Sequence, residues 1–144
     1  MKYLLTLLIL TALDLGTKYW ALQQLHTPWI FTSFFQFTFS TNCGIAFGFF
    51  SSCTMNGQIL LATSALMICI YLIKHHTHST CSSMASTMII SGAIGNVISR
   101  VLHQAVIDFI SLHYQSYYWP TFNLADIFIC LGTLTLLLCQ KIKN

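Results

Sequence analysis

The chain has 144 residues, of which 56% are hydrophobic and only 6% are charged. Soluble domains carry about 25% charged residues, so this chain has too few charged side chains to cover a water-soluble globule. Disorder is also excluded, because disordered chains contain few apolar residues and many charges. The formal net charge of +3 includes no run of basic residues, which argues against nucleic-acid binding. The composition therefore predicts an integral membrane protein.

Four apolar segments approach the length of about 20 residues that a helix needs to cross a bilayer. They predict an all-α membrane protein whose spans lie at about 3–20, 57–73, 84–102 and 122–139. We expect residues 1–144 to form a single integral membrane domain.

The lysines predict the orientation of these spans. Lys2 precedes the first span, Lys74 follows the second, and Lys141 and Lys143 follow the fourth, whereas the other two connecting loops contain no Lys or Arg. By the positive-inside rule, both termini face the cytoplasm and the loops at about 21–56 and 103–121 face outward.

The first outer loop contains a strand-like segment. Residues 35–40 (FQFTFS) alternate apolar and polar side chains, which predicts a half-buried strand and a small β-like platform in this loop. A plain loop anchored by its aromatic residues, which include Phe47, Phe49 and Phe50, is the alternative. The second outer loop carries aromatic residues typical of a membrane interface, namely Tyr114, Tyr117, Tyr118 and Trp119.

Ionisable and amide side chains lie inside two predicted spans, where they are energetically expensive. Asp14 and Lys18 are four residues apart on one helix face, so we expect either a structural ion pair or part of a site. Gly92, Asn96 and Arg100 form a second polar stripe at the same spacing. The arginine could hold a carboxylate or a carbonyl group with its guanidinium.

The other two acidic residues of the chain are predicted at the outer ends of the third and fourth spans. Asp108 lies in an apolar run, which favours its neutral form, whereas Asp126 follows Asn123 at the spacing of a capping box, which favours its ionised form. Two carboxylates in such different surroundings are typical of an acid/base pair.

The cysteines and histidines give no strong motif. No C-x-x-C pair is present, and the apolar neighbours of Cys69, Cys130 and Cys139 predict ordinary small hydrophobic residues. Cys43 and Cys53 can form a disulfide if their loop faces an oxidising compartment, and two unpaired cysteines are the alternative. The histidine-rich turn at 75–78 predicts a solvated loop, with loose metal binding as the alternative.

Five blocks in order resemble the lipoprotein signal peptidase (signal peptidase II) family, over nearly the whole chain. The blocks are DLGTK at 14–18, NCGIAF at 42–47, GAIGNVISR at 92–100, VIDF at 106–109 and FNLAD at 122–126. One position departs from the family pattern, because Ser99 stands where the third block has an acidic residue before its arginine. In the family this acid supports the site and is not catalytic.

The resemblance implies an aspartic endopeptidase of the bacterial inner membrane that cuts prolipoproteins immediately before a diacylglyceryl-modified cysteine. It makes Asp108 and Asp126 the catalytic pair. The residues that bind substrate or support the site would be Asn42, Gly44, Asn96, Arg100, Asn123, Asp14 and Lys18. It further implies a single peptidase domain, no metal or cofactor, inhibition by globomycin-type peptides and contact with membrane lipids; we expect a monomer.

A small four-helix transporter coupled to protons or cations is the alternative, because membrane carboxylates often serve proton coupling. Against it, two of the three acidic residues are predicted near the outer surface, whereas transporter sites usually lie at the midplane.

Overall fold

The computed structural model describes residues 2–44, 54–74 and 79–141, with side chains described as far as Cys139. These residues form four helices, α1 (Lys2–Gln24), α2 (Met55–Lys74), α3 (Thr80–His103) and α4 (Leu124–Lys141). They also form four strands, β1 (Trp29–Ile30), β2 (Phe35–Asn42), β3 (Val106–Tyr114) and β4 (Tyr117–Tyr118). The prediction of a mostly helical chain with a small sheet is confirmed.

Within the described residues, α1, α2 and α3 are each long and apolar enough to cross a membrane. The apolar part of α4, Leu124–Cys139, is shorter, so the fourth crossing stays a prediction. The helices differ in length from the predicted spans. Helix α1 continues to Gln24, α3 begins at Thr80, and α4 begins at Leu124, after residue 122, which pairs with the sheet.

Helix α1 presents its polar side chains to the interior of the protein. Its buried residues are Thr11, Asp14, Lys18 and Ala21, spaced three and four apart along one face. Its leucines, such as Leu5 and Leu8, are exposed on the opposite faces. This reversed amphipathicity suits a helix that is surrounded by lipid on most of its circumference.

Helix α3 lies at the centre of the bundle and packs against α1, α2 and α4. Small residues allow the close approach of α3 and α4. A Cβ atom on Gly132 of α4 would lie 2.8 Å from the carbonyl oxygen of Ala85 and 2.8 Å from Ile89 Cγ1. Both contacts are with α3, so Gly132 sets the separation of the two helices.

The sheet is antiparallel, in the order β1-β2-β3-β4. The strand predicted at 35–40 is confirmed by β2, and the sheet also includes strands from outside the loop in which the platform was predicted. Half of the strands come from the segment after α3, where the first four residues of β3 are all buried. A strand buried on both faces reads as a continuous apolar run, so β3 lacks the alternation that identified β2.

Aromatic side chains dock the sheet onto the end of α1. The Trp20 ring makes edge-to-face contacts with Trp29, Phe37 and Phe109, at centroid distances of 5.4, 5.6 and 6.3 Å. Buried Ile107 and Phe109 complete this small core with residues of α1. These two residues are the neighbours of Asp108 in the chain, so the core fixes β3 on either side of Asp108.

A disulfide joins Cys81, at the start of α3, to Cys139, near the end of α4. The prediction that Cys139 is an ordinary hydrophobic residue was wrong, because the pairing depends on the packing of two helices and no local pattern reveals it. Cys69 and Cys130 are free cysteines. The alternatives for Cys53, for residues 75–78 and for Phe47, Phe49 and Phe50 lie outside the described residues.

We predict that Gly132→Ala lowers the free energy of unfolding by about 1–3 kcal/mol, because the added methyl group must push α3 and α4 apart. Gly16→Ala is the matched control, since a Cβ atom at Gly16 meets nothing within 4 Å. Thermal unfolding in detergent micelles measures both variants. Equal melting temperatures for the two variants would contradict this account of the α3–α4 contact.

Candidate active site

A buried ion pair lies at the meeting point of three helices. Lys18 Nζ donates to Asp14 Oδ2 at 2.8 Å, and the two side chains are 3% and 0% exposed. Lys18 also donates to Asn96 Oδ1 on α3 at 2.7 Å. The second carboxylate oxygen of Asp14 accepts the backbone N–H of Ala125 on α4 at 2.9 Å. The predicted pair is confirmed, and it connects α1 to both neighbouring helices.

Gly95 on α3 makes room for this ion pair. A Cβ atom at position 95 would collide with the carboxylate of Asp14. The glycine therefore serves the polar contact as well as helix packing.

Asp126 lies in the first turn of α4 and is held from two sides. Its carboxylate accepts the backbone N–H of Asn123 at 3.2 Å, and its own backbone N–H donates to Asn123 Oδ1 at 3.1 Å. This reciprocal arrangement confirms the predicted capping box. Asn96 Nδ2 donates to Asp126 Oδ1 at 3.0 Å. One asparagine therefore contacts both Asp126 and Lys18.

Asp108 lies on β3 and is only 1% exposed. Asn123 Nδ2 donates to its Oδ1 at 2.6 Å, and Asn42 Nδ2 donates to its Oδ2 at 3.2 Å. Burial, reinforced by the negative charge of Asp126, raises the pKa of Asp108 to about 7. The hydrogen bonds from Asn123 and Asn42 and the charge of Lys18 oppose this rise. The neutral form of Asp108 is therefore well populated near neutral pH.

Arg100 fixes the segment that follows β2. Its Nη2 donates to the carbonyl of Gly44 at 2.8 Å, and its Nη1 donates to the carbonyl of Asn96 at 3.4 Å. The N–H of Gly44 in turn donates to Asn42 Oδ1 at 2.9 Å. The sequence predicted that Arg100 holds a carboxylate or a carbonyl group, and both of these contacts are with carbonyl groups. The arginine orients the asparagine that contacts Asp108.

A cavity of about 690 Å³ opens beside these residues, between α2, α3 and α4. Its polar wall contains Asn42, Asn96, Arg100 and Asp126. Its remaining wall is mostly apolar and includes Leu61 and Ile68 of α2 and Ile127 of α4. Asp126 borders the cavity directly, whereas Asp108 lies behind it.

The structure brings together all nine residues singled out in the sequence. They meet where the end of α1, the C-terminal half of α3, the start of α4 and the strands β2 and β3 converge. Among the described residues, no group of three or more His, Cys, Asp or Glu side chains could hold a metal ion.

Two supporting residues were not predicted to contribute their present contacts. Gln58 is 3% exposed and donates from Nε2 to the carbonyl of Cys43 at 2.7 Å. The sequence feature that could have identified it is a glutamine inside an apolar helix, because a buried amide without a hydrogen-bond partner is energetically costly. The sequence identified Ser99 only as a departure from the family pattern, yet its hydroxyl bonds to two backbone groups where β3 begins.

This arrangement defines a membrane protein whose polar site borders an apolar cavity at one end of a helix bundle. Solved structures share its fold. Two of them, both titled as bacterial membrane enzyme structures determined by the in meso method, superpose with TM-scores of 0.82 and 0.79 at 26% identity. Each match covers 96% of this chain. The matches cover 87% of the first solved chain and 92% of the second. The class is therefore that of multi-pass bacterial membrane enzymes.

The model of the family described as signal peptidase (SPase) II matches residues 6–142, and the chain belongs to this family. The lipoprotein signal peptidase of Clostridium novyi (strain NT) is 41% identical over 130 residues, which cover 86% of each chain. The lipoprotein signal peptidase of Pseudoalteromonas atlantica is 37% identical and covers all of this chain and 91% of its own. Membership identifies a peptidase that removes signal peptides, and the transporter alternative is not supported.

We predict that Lys18→Met lowers the free energy of unfolding by about 3–5 kcal/mol, because Asp14 is then buried without its cation. The double variant Asp14→Asn with Lys18→Met should recover part of this loss, since an asparagine still accepts the N–H of Ala125 without a charge. Denaturant titration in detergent compares the variants. A double variant less stable than Lys18→Met would contradict this interpretation of the pair.

Proposed function

We propose that this protein is an aspartic endopeptidase that cleaves prolipoproteins immediately before a diacylglyceryl-modified cysteine, with Asp108 and Asp126 as the catalytic pair. The supporting observation is that Asn123 bonds to two carboxylates in unequal surroundings. Its side-chain Nδ2 donates to Asp108, and its backbone N–H donates to the carboxylate of Asp126, whose own N–H donates to Asn123 Oδ1. Hydrolysis of a peptide bond needs an activated water and a proton donor for the carbonyl oxygen, and such a pair supplies both.

Asp126 is the ionised base of the resting pair in this proposal. It borders the cavity, where a water molecule can reach it, and it accepts hydrogen bonds from Asn96 Nδ2 and the N–H of Asn123. The Lys18 ammonium group strengthens the first bond, because its contact with Asn96 Oδ1 polarises the amide that donates to Asp126.

Asp108 is the protonated partner. Its pKa of about 7, raised by burial and by Asp126, leaves it neutral below that pH and able to donate to a carbonyl oxygen. Its Oδ2 is bonded to Asn42, which lines the cavity. During the reaction Asp126 takes a proton from water as the water oxygen adds to the carbonyl carbon, and Asp108 donates its proton to the carbonyl oxygen. The C–N bond then breaks as Asp126 passes its proton to the leaving nitrogen and Asp108 recovers a proton from the hydroxyl group that re-forms the carbonyl.

The cavity is suited to an apolar peptide segment with a polar scissile bond. Its lining from α2 and α4 is mostly apolar, and its polar groups lie at one end, around Asp126. Arg100, Asn96 and the segment at 42–44 lie where they can bind the substrate backbone. A lipid chain on the substrate can stay in the bilayer while the scissile bond reaches the carboxylates.

We further propose that all four helices cross the bacterial inner membrane, with both termini in the cytoplasm and the sheet on the outer side. The lysines outside the apolar segments support this orientation. Residues 1–144 then form one peptidase domain that acts as a monomer in contact with lipid. The same cavity is the proposed site for a globomycin-type cyclic peptide.

Replacing either carboxylate tests the catalytic pair. We predict that Asp108→Asn and Asp126→Asn each lower kcat by at least about 100-fold, because each removes one partner of a general acid/base pair. Cleavage of a diacylglyceryl-modified prolipoprotein by purified protein is the measurement, with and without a chelator. Thr63→Ala, at an exposed position of α2 that does not line the cavity, is the control. A folded asparagine variant that keeps a tenth of wild-type kcat would contradict the proposal.

The pH dependence tests the assignment of the proton. Because the raised pKa makes Asp108 lose its proton as pH rises through about 7, kcat/KM should fall about tenfold per unit above that pH. Asn42→Ala should move this alkaline limb to higher pH, since its hydrogen bond lowers the pKa of Asp108. A limb that moves to lower pH, or none between pH 6 and 8, would contradict the assignment.

A further inference from the structure

Ser99 lies in the last turn of α3, where the chain reverses toward the strand that carries Asp108. Gln104 ends the helix in a left-handed conformation with φ of 56°, and its N–H donates to the carbonyl of Arg100 at 2.8 Å. Strand β3 begins at Val106, two residues later. Ser99 is only 2% exposed, so its hydroxyl must find protein partners.

The hydroxyl of Ser99 bonds to two backbone groups of this turn. It donates to the carbonyl of Ala105 at 3.0 Å and accepts the N–H of Ile107 at 3.2 Å. The carbonyl of Ile107 accepts Asn123 Nδ2 at 3.3 Å. Both polar groups of Ile107 are therefore bonded to side chains. Asp108 is the next residue.

Only a group that both donates and accepts can make these two bonds. A hydroxyl does so, whereas an ionised carboxylate accepts only and a methyl group does neither. An acidic residue at position 99, as in the family pattern described above, would leave the Ala105 carbonyl without this donor. The serine is therefore matched to the backbone of this chain.

We propose that Ser99 is a positioning residue for Asp108, whose hydroxyl holds the first residues of β3 so that the carboxyl group meets Asn123. The proposal rests on the catalytic role proposed for Asp108. Without the hydroxyl, a buried carbonyl and a buried N–H lose their partner, and the strand must shift to recover them. Shifts of about 1 Å in catalytic groups can lower rates by about 100-fold.

Ser99→Thr and Ser99→Val form a matched pair, because the two side chains have nearly the same shape and differ in the hydroxyl group. With the lipidated prolipoprotein as substrate, we expect kcat of the threonine variant within about threefold of wild type. The valine variant should lose about 10- to 100-fold in kcat with little change in KM. Ser91→Ala is the control, since Ser91 is fully buried on the same helix and donates only to the carbonyl of Met88.

A higher kcat for the threonine variant than for the valine variant, with similar KM, supports the proposal. Equal kcat for the two variants, whether high or low, overturns it, as does a loss that appears only in KM. Melting temperatures of all variants identify any that fail to fold. An inactive wild-type protein, or full activity of Asp108→Asn, would instead contradict the proposed function and not this role of Ser99.

Discussion

The buried ion pair of Asp14 and Lys18 is the constraint on which the rest of the site depends. Two charges removed from water stabilise a fold only when their remaining hydrogen-bonding capacity is used. Asp14 uses its second oxygen on the N–H of Ala125, and Lys18 uses a second proton on Asn96. These contacts require α1, α3 and α4 to meet at one height, and Gly95 provides the space. The start of α4 is thereby fixed, and with it Asp126.

The two candidate carboxylates are held by different parts of the fold, and this explains their unequal surroundings. Asp126 belongs to the helix bundle, since it lies one residue beyond the anchored Ala125 and accepts a bond from Asn96. Asp108 belongs to the sheet and is almost completely buried. Asn123 bonds to both, with its amide nitrogen on Asp108 and its carbonyl oxygen on the N–H of Asp126. A shift of the sheet relative to the bundle would therefore change the distance between the two carboxylates.

Local patterns made part of this arrangement predictable from sequence. The Asp14–Lys18 pair and the capping box of Asn123 and Asp126 each depend on residues within one helical turn, so their spacing is sufficient. The pairing of β2 with β3 and the Cys81–Cys139 disulfide join distant segments, and only tertiary packing determines them. Ser99 shows the same limit, because its partners are defined by the turn that follows the helix. The unequal surroundings of Asp108 and Asp126 indicated an acid/base pair, whereas the peptidase chemistry proposed for this pair came from the family resemblance.

The placement of Asp108 on a strand has a consequence for the chemistry proposed here. In a helix, hydrogen bonds within the same helix would fix the backbone that carries the carboxyl group. In a strand, the position of that backbone depends on contacts with neighbouring elements. Trp20 packs against Phe109, Ser99 bonds to the backbone before Asp108, and Asn42 contacts the carboxyl group itself. These contacts come from α1, α3 and β2, so the position of the acid reflects the docking of the whole sheet. The neutral form of Asp108 follows from the same docking, because the contacts that fix the strand also exclude water from the carboxyl group.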